Sequence, residues 1–392
     1  MTEKVKLGII GYGAEGGMYA SFFAQKDERL NEDVIELAAI CDIDPAKREK
    51  IAKDFPGLPV FDNYLDLLDS GVVNAIVTTV PHYDHVVMGI DALKRGIHLL
   101  GEKPAGVYTK EVERLIEASE EYSDTTFAIF FNQRTNPLYR RVKELMDNKE
   151  IGDLQRATWI ITTWWRPQGY YNQSGWRATW GGEGGGVLVN QAPHQLDLLQ
   201  WICGKPEKVI AKLQYGAGRN IIVENEVNAL LDFGNGATGS FITCTNDMIG
   251  TDRFEIFGTK GKVIVEDSKK LIIKKLVNPE QEISEKMDMA DVVKLFMGQM
   301  NMSDYVKETV EEFEMVMGQQ HIDVLNNFAN HIVKGEALLA PGAEGINGVR
   351  LANAMHLSDW LDKEVDYNHD HNLYLEELNK RITEEGKFST KA

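Results

Sequence analysis

The chain has 392 residues, enough for two or three domains with their own cores, which excludes a lone small binding module. Hydrophobic residues make up 43% and charged residues 26%, the balance of a chain that folds by burial rather than staying disordered. The 60 acidic residues outweigh 42 basic ones to leave a net charge of −18, a field that repels nucleic acid and anionic lipid, so neither is expected as a partner.

The opening residues, MTEKVKLGIIGYG, lack the apolar core of a signal peptide, and no stretch reaches the ~20 apolar residues of a membrane span. A cytoplasmic protein is expected. Cys41, Cys203 and Cys244 are widely spaced and odd in number, and read as reduced thiols without a catalytic or zinc-binding role.

Residues 1–153 alternate apolar runs (VKLGII, VIELAAIC, VNAIVTTV, IHLLGEK, TFAIFF) with helical patterns, the signature of βαβ units in a doubly wound parallel sheet. This predicts an α/β fold whose first domain is of Rossmann type. Its ligands belong beyond the carboxyl ends of the strands. After the first run comes Gly11-Tyr12-Gly13-Ala14-Glu15-Gly16, a G-x-G-x-x-G between strand and helix. Gly11 allows the tight turn, Gly13 and Ala14 bring the backbone to a pyrophosphate, and Gly16 lets helix and strand pack closely. A dinucleotide is therefore expected at that helix N-terminus.

The second run ends at Cys41-Asp42, which puts a carboxylate beside the adenosine ribose and favours NAD over NADP. The separation from Gly11 exceeds the usual ~20 residues, an excess assigned to the polar segment QKDERLNED. Asp42 could instead only cap the helix PAKREKIAKDF, and Lys47 or Arg48 could still neutralise a phosphate, so NADP stays open. After the run VNAIVTTV, Pro81 and His85 are assigned to the cofactor edge, with His82 beside them. Gly101-Glu102-Lys103-Pro104 follows IHLL, with Glu102 on the cofactor side and Lys103 projecting into the crevice, where an ammonium can hydrogen-bond a substrate oxygen.

Residues 154–392 read as an α+β substrate-binding and oligomerisation domain with a mostly antiparallel sheet. Trp164-Trp165-Arg166 and Tyr170-Tyr171 precede Trp176-Arg177; of these, Tyr171, Trp176 and Arg177 are candidates to hold a polyhydroxylated ring, against core packing or subunit contact as the plainer uses. Asn190 and His194 are four apart and are placed on one face of a helix beginning near Pro193, with His194 near neutrality as general base. Asp197 would orient His194 or cap a local hydrogen bond. Strand patterns follow through LIIKKL. Residues 277–320 read as an acidic helical insert whose methionines fill gaps, and 321–392 as closing helices. His369-Asp370-His371 reads as a solvated turn, and no metal site is expected.

Together Gly11-Tyr12-Gly13 with Gly16, Glu102-Lys103-Pro104, and Gly184-Gly185-Gly186-Val187-Leu188-Val189-Asn190 running on to His194 and Asp197 give a chain that resembles the Gfo/Idh/MocA oxidoreductases over nearly its whole length. That family includes inositol dehydrogenases and glucose–fructose oxidoreductase. The resemblance implies that Lys103 and His194 serve the substrate hydroxyl, and that the residue at 190, often aspartate in the family, touches substrate. Here it is Asn190, which cannot relay a proton. The resemblance also implies a cis Lys103–Pro104 bond, and pairing of the open sheet face in a homotetramer or homodimer. The expected activity is NAD-dependent oxidation of a secondary hydroxyl of a cyclic polyol or sugar to a ketone, with Lys103, His194 and Asn190 as the catalytic set. The alternatives are an NADP-dependent reductase running the reverse reaction, an NAD-using glycosidase and a non-catalytic sensor of NAD or sugar.

Overall fold

The structure, a computed structural model, describes residues 4–389. Six strands form the first sheet: β1 (Val5–Ile10), β2 (Ile35–Cys41), β3 (Val60–Phe61), β4 (Ala75–Thr78), β5 (His98–Gly101) and β6 (Phe127–Ile129). They run parallel in the order β3-β2-β1-β4-β5-β6. The order reverses direction between β1 and β4, and a crevice opens beyond the carboxyl ends at that point. Val5, Leu7 and Ile9 are fully buried, because helices cover both faces of the sheet.

The second sheet has nine strands: β7 (Leu154–Ile161), β8 (Lys208–Tyr215), β9 (Glu224–Asp232), β10 (Thr238–Cys244), β11 (Asp252–Gly258), β12 (Gly261–Glu266), β13 (Lys270–Leu276), β14 (Val306–Glu312) and β15 (Val365–Asp366). Their order is β14-β13-β12-β11-β7-β10-β9-β8-β15, antiparallel throughout except for the β7–β10 pair. Alternation sets the faces. In β8, Val209, Ala211 and Leu213 are buried while Ile210 is 43% exposed, so one face meets the core and the other is open. The core is centred on Trp159, which stacks on Phe254 at 4.3 Å and on whose inner side the helices Pro193–Cys203 and Gly345–Leu361 pack.

Three sequence expectations change. Within 277–320, helices Glu280–Lys286 and Met289–Phe296 do form, but neither buries a residue, and the segment ends in β14, registered on β13 from Leu276↔Val306 to Lys270↔Glu312. The sequence VKETVEE hides this strand: charge on an edge strand blocks pairing with other chains and also masks the strand pattern. Nor do the methionines fill gaps, since Met289, Met297 and Met317 are 74%, 69% and 95% exposed. The helix Gln319–Lys334 belongs with the first sheet rather than the second, because Ile322, Leu325 and Phe328 are buried against Val5, Leu7 and Ile9. Finally, His369 is buried and lies 6.1 Å from the Tyr374 ring, and Asp370 caps the helix His371–Glu385, so this is a packed helix start rather than a solvated turn.

Candidate active site

Beyond β1 the chain turns at Gly11, whose φ of +95° and whose closeness to Thr79 leave no room for a side chain: a Cβ there would lie 2.4 Å from the Thr79 carbonyl oxygen. Gly16 is pressed equally hard, its would-be Cβ 2.0 Å from the Gly11 carbonyl oxygen. Gly13 is the opposite case, with nothing within 4 Å of where a Cβ would stand. It also precedes the helix Ala14–Ala24, whose first N–H groups have no side-chain cap. An uncapped helix end below an open space that any side chain would fill fits the pyrophosphate of a dinucleotide.

Asp42 is 5% exposed and does not cap the next helix; Asp44 does. Instead Asp42 accepts hydrogen bonds from the backbone N–H groups of Tyr12 (2.7 Å) and Asp44 (2.9 Å), which lock the carboxylate beyond the end of β2, beside the glycine turn. Lys47 donates to it from 3.2 Å. Arg48 is turned away onto the carbonyls of Asp42 and Ile43. This corner therefore offers one carboxylate and one ammonium.

Both belong to one cleft of about 780 Å³, whose walls include Gly11, Gly13, Ala14, Asp42, Pro81, His82, His85, Glu102 and Lys103 from before residue 154 and Trp164, Arg166, Tyr170, Trp176, Arg177, Asn190, Gln191 and His194 from after it. Gly16 stands behind the wall. Pro81 precedes the helix His82–Leu93. Its two histidines are buried struts. His85 places its ring nitrogens 2.8 Å from the Pro104 carbonyl and 2.9 Å from that of Val80, and His82 places Nδ1 2.9 Å from the Glu183 carbonyl. Burial depresses both, His82 to about 3 with the neighbouring His85 assisting; a neutral His85 ring has one N–H and so donates to only one of its two carbonyls.

Glu102 is buried beneath the catalytic candidate, accepting from the Tyr19 hydroxyl and from the Lys103 N–H (3.1 Å). Burial pushes its carboxyl up to about 7, against the pull of the Lys103 charge. The Lys103–Pro104 bond is cis. Lys103 is half-buried, and its ammonium has no hydrogen-bond or ion-pair partner among the described residues. It is free to serve a ligand.

The chain after residue 154 delivers its groups on a tightly folded glycine segment. A Cβ on Gly186 would lie 1.9 Å from the Glu224 carbonyl oxygen. The fully buried Glu224 carboxylate accepts from Gly186 N–H (2.8 Å) and Leu188 N–H (3.1 Å), fixing the short helix Val187–Asn190. His194 follows on a separate helix, Pro193–Cys203. Asn190 and His194 thus sit on two helices joined by a turn rather than on one face of a single helix, yet both reach the cleft. Asp197 orients neither: it forms a buried two-point ion pair with Arg134 (2.6 and 2.8 Å). Nδ1 of His194 is buried without a partner. Its pKa is not near neutrality but well below the usual histidine range, because burial first and then the charges of Lys103 and His321 oppose a proton. The ring is held as a neutral acceptor.

Tyr171 is core: it is 8% exposed, its hydroxyl meets Thr245 Oγ1 at 2.7 Å, and it is not part of the cleft wall. Its neighbour Tyr170 takes that place. The Tyr170 hydroxyl accepts from Arg177 (2.6 Å) and Gln191 (3.2 Å) and donates to Asn190 Oδ1 (3.2 Å), while Asn190 Nδ2 donates to Glu183. Glu183, 2% exposed, also accepts from Ala178 N–H (2.5 Å) and faces Arg177 at 3.4 Å. Burial lifts its carboxyl to about 7. A carboxyl group does stand near position 190, then, one hydrogen bond behind the Asn190 amide. Sequence reasoning missed Glu183, although a lone acid inside Gly181-Gly182-Glu183-Gly184 was a signal: charge amid chain too tightly packed for side chains has to be buried.

Residues 5–130 match a family model described as an oxidoreductase family with an NAD-binding Rossmann fold, and residues 139–264 match the GFO/IDH/MocA C-terminal domain. The chain is 24% identical over 362 residues to scyllo-inositol 2-dehydrogenase (NADP(+)) IolW of Bacillus subtilis (strain 168), spanning 90% of this chain and 93% of that protein. To the inositol 2-dehydrogenase of Corynebacterium glutamicum (strain R) it is 21% identical over 258 residues, 60% of this chain and 70% of that one. Among solved structures, levoglucosan dehydrogenase in complex with NADH superposes with a TM-score of 0.77 at 18% identity, over 94% of this chain and all of that one. The WlbA dehydrogenase of Bordetella pertussis, in complex with NADH and UDP-GlcNAcA, does so with a TM-score of 0.74 at 24% identity, over the same shares. Both structures share this fold. With its two halves matched in order by the two models of one family, the chain belongs to the GFO/IDH/MocA oxidoreductases, a family with an NAD-binding Rossmann fold.

Proposed function

We propose that this protein is an NAD-dependent dehydrogenase that oxidises a secondary hydroxyl of a cyclic polyol or sugar to a ketone, with residues 1–153 holding the dinucleotide and 154–392 supplying most of the substrate wall. The observation that carries this reading is the meeting, in one cleft, of the unpaired Lys103 ammonium and the unpartnered His194 imidazole beside the glycine turn and Asp42. The nicotinamide, when bound, supplies the hydride acceptor. Lys103 donates a hydrogen bond to the reacting oxygen and stabilises its negative character. His194, neutral at physiological pH, accepts the hydroxyl proton at a ring nitrogen. Asn190 has its oxygen and one amide hydrogen already engaged, which leaves one N–H for the substrate and makes it a positioning group rather than a proton carrier.

Asp42, locked by two backbone N–H groups, favours NAD; Lys47 at 3.2 Å is the specific feature that supports use of NADP as well. The test is NADH formation with inositols and aldoses, run against both cofactors. Net NADH with a free polyol supports the dehydrogenase, sugar release without net NADH would replace it with the glycosidase, and ligand-dependent melting shifts without turnover would replace it with the sensor.

The open face of the second sheet supports a homo-oligomer. Ile210 and Leu230, directly paired across β8 and β9, are 43% and 61% exposed. A second copy of this face is the proposed cover, and light scattering that gave a stable monomer of 44.1 kDa would refute it. Among the described residues, no helix is long and apolar enough to cross a membrane.

A further inference from the structure

The cleft segregates charge. Its acidic wall residues, Glu15, Asp42, Asp84 and Glu102, all come from residues 1–153, with Lys47 paired to Asp42, whereas Arg166 and Arg177 come from residues 154–392 and face the same space as Lys103. Both guanidinium groups are gathered on one ring: their central carbons lie 5.1 and 4.5 Å from the centroid of Tyr170, and that of Arg177 lies 4.8 Å from Trp176. In a protein of net charge −18 this clustering of Lys103, Arg166 and Arg177 at one end of the cleft needs a cause. Two like charges on one ring repel, and in a partly desolvated cleft the repulsion is weakly screened.

Protein groups answer only part of it. Arg177 faces Glu183 at 3.4 Å, and Asn190 and the Ala178 N–H share that same carboxylate. Arg166 places Nη1 on the carbonyls of Trp164 and Trp165, at 3.3 and 3.1 Å, and has no carboxylate partner among the described residues. Lys103 has none either. The buried polar atoms of wall residues that lack a partner are Trp164 Nε1, Arg177 Nε and His194 Nδ1. The first two can only donate. A wall rich in unmatched donors and cations is complementary to a ligand that brings acceptors and negative charge, and it binds a neutral ring less well because its guanidinium groups would then be desolvated without repayment.

We propose that the substrate is an anionic sugar derivative, bearing the carboxylate of a sugar acid or the phosphate of a sugar phosphate, with Arg166 and Arg177 holding that group beside Tyr170. The flat faces of Tyr170 and Trp176 then take the ring, and the reacting hydroxyl lies toward Lys103 and His194. This rests on the dehydrogenase reading and narrows its substrate class.

The test separates the two ideas by measuring binding and turnover independently. The enzyme saturated with NADH is titrated calorimetrically with glucuronate, glucose 6-phosphate, glucose and myo-inositol; the enzyme with NAD is assayed for NADH production with the same four. One anion is expected to bind roughly tenfold or more tightly than either neutral ring, with a preference that shrinks as salt rises. The stronger of glucuronate and glucose 6-phosphate identifies carboxylate or phosphate as the source. Arg166→Gln and Arg177→Lys should each cut the anion-to-neutral ratio roughly tenfold, with melting temperatures confirming that both variants fold. Neutral rings bound as tightly as the anions, or a ratio unchanged in both variants, would overturn the proposal. Tight, arginine-dependent anion binding without turnover of any ligand upholds the anion site and counts against the dehydrogenase. Turnover of neutral rings in preference to both anions does the reverse.

Discussion

The two ends of the cleft are built on different principles. At the cofactor end, one local stretch of chain does nearly everything: Gly11, Gly13 and Gly16 are spaced by the turn from β1 into a helix, and backbone N–H groups form the cradle. At the end proposed for the substrate, the polar groups come from several segments, at 103, 164–177, 183 and 190–194, and are held by side-chain hydrogen bonds that only the folded protein assembles. A backbone site tolerates substitution according to steric room, whereas a side-chain network tolerates it according to charge and hydrogen-bond matching. The difference can be attacked directly.

The largest effect belongs to the groups that face the reacting oxygen. Lys103→Met and His194→Ala should each lower kcat by about two orders of magnitude or more, with NADH binding by fluorescence little changed. Near-wild-type turnover in both would show that the convergence of the two halves is not the reaction centre. Next comes the glycine turn, where sterics make opposite forecasts for two positions. Gly16→Ala forces a Cβ to within 2.0 Å of a backbone oxygen and should destabilise the fold by roughly 1–3 kcal/mol, seen as a lower melting temperature. Gly13→Ala adds a Cβ with no atom within 4 Å and should leave melting unchanged while weakening NADH binding roughly tenfold or more. If the two variants behaved alike, the distinction between packing glycine and cradle glycine would fail.

Charge matching is probed at Glu183. Its carboxyl, like that of Glu102, is raised by burial from the ordinary 4.5 to about 7. A raised carboxyl stabilises the fold in its protonated form, fully below pH 4.5, and this contribution is lost as pH rises through about 7. His82 and His194, depressed below 6.5, act in the opposite sense, contributing fully above 6.5 and losing that contribution in acid. Comparing Glu183→Gln with wild type at each pH isolates the carboxyl: the variant should gain in melting temperature relative to wild type as pH goes from 5 to 8. A difference independent of pH would mean that Glu183 stays ionised throughout.

A smaller shift is expected at the adenosine corner. Asp42→Ser should narrow the preference for NAD over NADP, because Lys47 would then face the phosphate without a competing carboxylate. Higher kcat/KM with NADP in the wild-type enzyme would contradict the assignment. Smallest is Tyr171→Phe, which removes one buried hydrogen bond to Thr245 and should cost about 1 kcal/mol of stability with kcat unchanged, whereas Tyr170→Phe should lower kcat/KM with little change in melting.

Much of this molecule is determined by local sequence. Parallel strands buried on both faces are largely apolar, so the runs of β1, β2, β4, β5 and β6 were legible while the two-residue β3 was too short to show one, and G-x-G-x-x-G after a strand specifies its own turn because the constraint lies within six consecutive residues. The cleft positions of Lys103 and His194 were legible for a related reason: each lies within two residues of the end or start of an element that borders the cleft. Tertiary structure decided whatever depends on residues far apart in the chain. Tyr170 rather than Tyr171 lines the cleft because the fold buries one of two adjacent tyrosines on Thr245, and periodicity cannot choose between them. The helix Gln319–Lys334 joined the first sheet because its apolar face matches β1, more than 300 positions earlier, and chain order says nothing about which sheet is open to receive it. The depressed pKa of His194 and the raised one of Glu183 follow from burial and from charges brought close by folding, and no spacing of letters encodes a dielectric environment.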